Sequence, residues 1–298
     1  MLKTALNAIY TGHSMVGTLR RVLVCSPRTA GWDAPPRREQ WSELGFLHPP
    51  DFACAQAQHD ALCRILQEAG AEVIQLPPST SLTLDAVYTH DASIPTDLGL
   101  IRMSPGKASR VPEAQHHLDV CSRLGIPLLG AVKGPGTSEA GDMVWLDAKT
   151  LLVGRGYRTN AAGIGQLRAL LEPRGVEVLS APLPHGQGPS ACLHLMSLIS
   201  LLDENVALVD LPGLAVETVE LLRARGYRFL EIDASEREAL ACNVLSLGGR
   251  RLVASAENEK TNQRLRAAGF EVATFPGSEI CINGSGGPTC LTRPLLRG

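Results

Sequence analysis

The chain carries almost no net charge, few aromatic residues, no closely paired cysteines and no long hydrophobic run. Over 298 residues, 28 basic and 30 acidic side chains leave a formal charge of −2. That balance offers no electropositive face for nucleic acid or for an anionic membrane. Aromatic residues are 4% of the chain, too few to build base-stacking platforms. The eight cysteines include no Cys-x-x-Cys and no Cys/His group at metal-ligand spacing. Most lie in apolar segments such as Leu62-Cys63-Arg64-Ile65-Leu66, where a free thiol behaves as a small hydrophobe. This usage fits a reducing compartment and not a disulfide framework. Met1 to Val16 has no apolar leader core, and nothing approaches the length of a bilayer span. A cytoplasmic, soluble protein is expected, with a small molecule as its partner and neither nucleic acid nor membrane. Its oligomeric state is open between monomer and homodimer.

What is present is a repeat. Five times a helix-period segment ends in glycine and passes into a short apolar strand, at Gly70, Gly125, Gly175, Gly226 and Gly269. The glycines recur about every 50 residues. Glycine after the last helical turn accepts the left-handed angle that closes a helix. Between them lie hairpin signals, such as Met143-Val144-Trp145-Leu146, turn Asp147-Ala148-Lys149, Thr150-Leu151-Leu152-Val153. An ordinary doubly wound sheet would alternate strand and helix without a hairpin in every unit. Five strand-strand-helix-strand units suggest an α/β-propeller around a pseudo-fivefold axis. One domain over residues 1–298 is expected, with the repeat core from about residue 20.

Radial repetition would bring equivalent parts of each unit to the axis. The run Ala86 to Asp91 ends on a carboxylate, Glu139 and Asp142 precede an apolar strand, and His194 interrupts another apolar run. Cys290 stands on the loop Gly286-Gly287-Pro288-Thr289-Cys290, a poor place for a helix or a central strand. Taken singly, Asp91 reads as a turn or cap, Asp142 as a turn flank and His194 as a core histidine. Together, a cysteine, a histidine and two carboxylates suit covalent catalysis on a cation. A guanidinium offers forked N–H donors that match carboxylates. Its reluctant carbon needs a nucleophile as strong as a thiolate, with His194 to protonate the departing amine and then activate water.

The motifs Asp91, Pro135-Gly136-Thr137-x-Glu139-Ala140-Gly141-Asp142, Arg158-Thr159-Asn160, Leu193-His194-Leu195 and Gly286-Gly287-x2-Cys290 resemble the amidinotransferase/hydrolase superfamily of pentein fold. The likeness runs from about Arg21 to the end and is greatest to the bacterial dimethylarginine dimethylaminohydrolases. It implies Cys290 as nucleophile, His194 as general acid and base, and Asp91 and Glu139 as guanidinium ligands. Arg110 and Arg158 match arginines that hold the substrate carboxylate, and Asp85 and Tyr88 fall at pocket-lining positions. No metal or organic cofactor is implied. The implied reaction hydrolyses an Nω-substituted arginine to citrulline and an amine through a Cys-thiouronium. Alternatives are a deiminase or dihydrolase acting on free arginine, an amidinotransferase, or a guanidino-binding protein. His90 stands where the dimethylarginine enzymes carry a glutamate, which bears on the preference for methylated arginine. The loop Thr29 to Asp51 is read either as a lid or as an ordinary surface loop.

Overall fold

Short apolar runs of four to six residues, too brief for core helices, become strands. The computed structural model describes residues 9–298, so the start of the Met1–Val16 stretch lies outside the described residues. In chain order the strands are β1 (Leu19–Val24), β2 (Glu72–Gln75), β3 (Ser93–Thr96), β4 (Gly99–Arg102), β5 (Leu128–Ala131), β6 (Met143–Asp147) and β7 (Thr150–Arg155). Then follow β8 (Glu177–Pro182), β9 (Ile199–Asp203), β10 (Val206–Val209), β11 (Arg228–Glu231), β12 (Leu245–Gly248), β13 (Arg251–Ser255), β14 (Glu271–Phe275) and β15 (Arg293–Arg297). They form five three-stranded sheets. Four sheets have one plan: an antiparallel hairpin, then a helix, then a strand parallel to the hairpin's second arm. The first has its hairpin partner at the far end of the chain, because β15 pairs antiparallel with β1 while β2 lies parallel to it.

The ring closes through apolar packing between neighbours. Ile94 and Ile101 pack with Met143 and Val153, Val144 and Leu152 with Ile199 and Ala207, and Leu202 and Leu208 with Leu252 and Ala254. Leu245 and Val253 then join Val22 and Leu295, returning the fifth sheet to the first. The five glycines read as helix stops all have positive φ, from 79° at Gly125 to 90° at Gly70. At Gly70, Gly175 and Gly226 a Cβ would meet nothing. There glycine is required by the backbone angle and not by crowding. No helix among the described residues is long and apolar enough to cross a membrane.

Two of the apolar runs that carry candidate residues are tight turns and not strands. Residues Leu84–Val87 form a 3-10 turn, and the strand of that unit begins only at Ser93. His194 does not interrupt a strand; it caps a 3-10 turn, Leu195–Ser197, that precedes β9. In both places the chain ends an apolar run on polar residues that must reach across the axis, and a tight turn supplies the change of direction.

Candidate active site

The first strand of each unit is preceded by a polar residue. Asp91 comes before β3, Glu139 before β6, His194 before β9, Asn243 before β12 and Cys290 before β15. The ring delivers these five positions to one end of its axis. Four of them were expected from the sequence. Asn243 was not, although its place in the repeat was the available signal.

His194 is the hub. Its Nε2 donates to Glu139 Oε2 at 2.7 Å, and its Nδ1 lies 3.9 Å from Asp91 Oδ1 and 3.6 Å from Cys192 Sγ. Burial alone would lower the imidazole pKa, but Cys192, Asp91 and Asp142 outweigh it and hold His194 well above the ordinary range. Burial likewise pushes the Asp91 carboxyl up, yet His194 and Arg110 pull it well below the ordinary range. Glu139 is also lowered, burial being overcome by the hydrogen bond and charge of His194 and by Arg158. The result is an imidazolium clasped by two carboxylates.

Each carboxylate has further support. Asp91 Oδ1 accepts from Gly141 N at 3.0 Å. Glu139 Oε1 accepts from the backbone of Gly106 and Lys107 at 2.9 and 3.2 Å. Arg158 Nη1 reaches Glu139 Oε2 at 3.2 Å. Asp142 is fully buried and accepts from Leu195 N at 2.9 Å, which fixes the turn bearing His194. Its carboxyl is pushed up to about 6, chiefly by burial.

Cys290 is half-buried. Asn243 Nδ2 donates to its Sγ at 3.0 Å while Asn243 Oδ1 accepts from Thr289 N at 2.9 Å. The Cys290 carbonyl accepts from His90 N at 3.1 Å, so the thiol loop is pinned beside Asp91. Burial, then the charges of Asp91 and Cys192, push the thiol up to about 12 against the pull of His194 and Asn243. The glycine-rich loop is explained by close approach: a Cβ at Gly286 would come within 2.4 Å of Tyr88, and one at Gly287 within 2.6 Å of Asn243.

Gly141 has the same constraint at the hub. A Cβ there would stand 2.5 Å from His194 Nδ1 and 2.7 Å from Asp91 Oδ1. Gly141→Ala must therefore displace both side chains. A misplacement of this order costs about 100-fold in turnover, so steady-state assays should show kcat/KM falling by about that much with the far-UV spectrum unchanged.

Other expected site residues have different surroundings. Arg110 is only 4% exposed. It donates to Asp91 Oδ2 at 2.5 Å, to Glu113 Oε2 at 2.8 Å and to the Tyr88 carbonyl at 2.6 Å. Its fork is turned inward onto protein acceptors instead of outward to a substrate carboxylate, because Glu113, one helical turn away, supplies a buried partner. Glu113 was not singled out from the sequence, where Arg-x-x-Glu reads as an ordinary helix pair. Asp85 is paired with Lys107 Nζ at 2.6 Å. Tyr88 donates to the Ile280 carbonyl at 3.1 Å. His90 makes no hydrogen bond to either carboxylate; its ring meets the Thr292 carbonyl at 2.9 Å and Arg293 at 2.8 Å. Burial, then Arg293, lower its pKa to about 3, which keeps the ring neutral.

The Thr29–Asp51 segment packs onto the core as more than a surface loop. Trp32 is fully buried with its Nε1 on the Leu84 carbonyl at 3.0 Å. The Leu44 carbonyl accepts from Lys107 Nζ at 2.6 Å, and Leu47 N bonds to the Asn283 carbonyl at 2.9 Å. Lys107 thus ties this segment to Asp85, next to the loop that holds Glu139. Among the described residues, Asp91, Glu139 and His194 are the one group compact enough to hold a metal ion.

A dimethylarginine dimethylaminohydrolase of Streptomyces coelicolor is 31% identical over 252 residues, covering 81% of this chain and 86% of that relative. The chain belongs to the pentein superfamily of guanidine-modifying proteins. The homologous enzyme of Pseudomonas aeruginosa is 28% identical over 83% of this chain and 90% of its own length. A solved structure of that enzyme, a cysteine-to-serine mutant complexed with citrulline, has a TM-score of 0.75 at 26% identity, over 94% of this chain and 100% of the other. An arginine dihydrolase domain from cyanobacteria has a TM-score of 0.78 at 20% identity over 93% of this chain and 98% of its own, a likeness of fold alone. The arginine deiminase family model matches residues 212–297. The five-sheet ring is accordingly the pentein fold, and the repeat visible in the glycines is its repeat.

Proposed function

We propose that this pentein, as one domain, hydrolyses a guanidino compound, an Nω-substituted arginine of the dimethylarginine type, to citrulline and an amine. The observation that carries the reading is the juxtaposition at one end of the axis: Cys290 held by Asn243, beside an imidazolium clasped by Asp91 and Glu139. The likeness to the Streptomyces and Pseudomonas enzymes supports it.

The electrostatics order the steps. Asp91 and Glu139 are ionised and attract a guanidinium. Its positive charge, arriving beside a thiol raised to about 12, favours loss of the thiol proton to water. His194, already charged, does not serve as base for that step. The thiolate attacks the guanidino carbon. His194 then gives its proton to the departing nitrogen, the C–N bond breaks and a thiouronium remains on Cys290. The now neutral imidazole takes a proton from water as its oxygen adds to that carbon, and the C–S bond breaks to release the ureido product. Arg158, which spends only Nη1 on Glu139, is the expected arginine left to meet the substrate carboxylate.

A second reading, hydrolysis of free arginine, is favoured by the deiminase match over residues 212–297 and by His90, which adds no carboxylate beside Asp91. Incubation with arginine, monomethylarginine and dimethylarginine, with the released amine identified and the protein mass recorded, separates the two. Dimethylamine from dimethylarginine with a transient adduct on Cys290 is expected. Ammonia from arginine alone transfers the assignment to the deiminase reading. No ureido product from any of the three overturns both.

A further inference from the structure

The axis of the ring also contains a chamber of mixed apolar and polar lining that reaches His90 and Thr289 at the edge of the thiol loop. A cavity of about 40 Å³ is lined by the first strand of every unit, including Ile94 of β3, Met143 of β6, Ser200 of β9, Ser246 of β12, and Arg293 and Arg297 of β15. The two arginines are four residues apart on one strand, so both project to the same face. They are 5% and 7% exposed.

Their charges have no counterion. Arg110 and Arg158 at the catalytic end each pair with a carboxylate, but Arg293 and Arg297 pair with none among the described residues. Arg293 donates Nη1 to the Ser93 carbonyl at 2.7 Å and Nη2 to the neutral His90 ring at 2.8 Å. Its Nε is buried without an acceptor. Arg297 donates only Nη1, to the carbonyls of Gly17 and Ser246 at 2.6 and 2.9 Å. Residues 1–8 contain no aspartate or glutamate that could serve as a partner. Asp91, whose charge is felt at Arg293, is already bonded to Arg110.

A guanidinium remains protonated in proteins, and a buried charge persists when it is paired. Burial pushes Arg293 down to about 9 against the pull of Asp91, with the charge of Arg297 adding to the shift, and burial lowers Arg297 to about 10. We propose that the axial chamber is a binding site for one small monovalent anion of the halide class, such as chloride, held by Arg293 and Arg297. The size fits. One water requires about 10–15 Å³, so a chamber of about 40 Å³ has room for one halide together with a water or two. Its position also gives the ion a structural role, because β15 is the strand that closes the ring onto β1.

The test uses the full chain at constant ionic strength in sodium gluconate, chloride and bromide. A saturable rise in melting midpoint of about 2–4 °C is expected in the halides at tenfold the apparent dissociation constant. Crystals grown in bromide should show an anomalous bromine peak between the two arginines. Arg297→Gln should lose both the halide-dependent rise and the peak. Should that variant not fold, the bromine peak in the unaltered protein decides the matter. Identical midpoints in gluconate and halides, or bromine found only on the outer surface, overturns the proposal.

Discussion

Cys290→Ser is expected to lower kcat by about 10⁴-fold or more, while arginine-type ligands still bind. The serine hydroxyl is a far weaker acid than a thiol, and His194, held protonated by Cys192, Asp91 and Asp142, is no base to activate it. The empty site should also betray the raised thiol. With the thiol near 12, the thiolate fraction grows about tenfold per pH unit below that value. Alkylation of the unliganded protein by a neutral haloacetamide should therefore keep rising between about pH 7 and pH 10 instead of levelling. A bound guanidinium shifts the rise to lower pH. Full activity in the serine variant, by citrulline assay, would remove covalent catalysis from the account. A plateau near pH 8 in the empty protein would remove the need for the substrate's charge.

The fold was legible because its repeat is written in residues with one physical reason to be there. Glycine after a helix answers to a backbone angle that no other residue adopts cheaply, so Gly70, Gly125, Gly175, Gly226 and Gly269 mark five units without any knowledge of contacts. Cys290 was legible because it stands on a glycine-rich loop, and His194, Asp91 and Glu139 because each is a polar residue within or beside an apolar run. Asn243 obeys the same rule but follows Cys242 in a segment that reads as core, and its amide becomes meaningful only once the Cys290 loop is laid against it. Cys192 is similar, a thiol two residues before His194 whose contact with the imidazole depends on a turn. The orientation of Arg110 was not legible at all. A motif match assigns a residue type to a position, whereas the direction of a long side chain depends on which buried acceptor is nearest, and Glu113 is known to be buried only from the packed helix.

That orientation makes Arg110→Leu the variant with the largest expected cost to the fold. Removing the guanidinium leaves Asp91 and Glu113 as buried carboxylates, and the Tyr88 carbonyl without its donor. Breaking a buried pair from one side costs about 3–5 kcal/mol, a large share of the roughly 5–15 kcal/mol that holds a domain together. Urea unfolding followed by circular dichroism should show the midpoint fall accordingly. The sign of the pH dependence follows. Without Arg110 the folded-state pKa of Glu113, already pushed up to about 7 by burial, rises further, and that of Asp91 rises from its lowered value. The folded variant then binds protons more readily than its unfolded chain, so its deficit relative to the parent shrinks as the pH is lowered from 8 toward 5. Adding Glu113→Gln should recover part of the loss at pH 8, since one of the stranded charges is gone. An outward-facing arginine that grips a substrate carboxylate gives the opposite pattern: a raised KM with an unchanged urea midpoint. A parent-like midpoint in Arg110→Leu would therefore return Arg110 to the substrate, and with it the carboxylate-binding role that the family likeness implies.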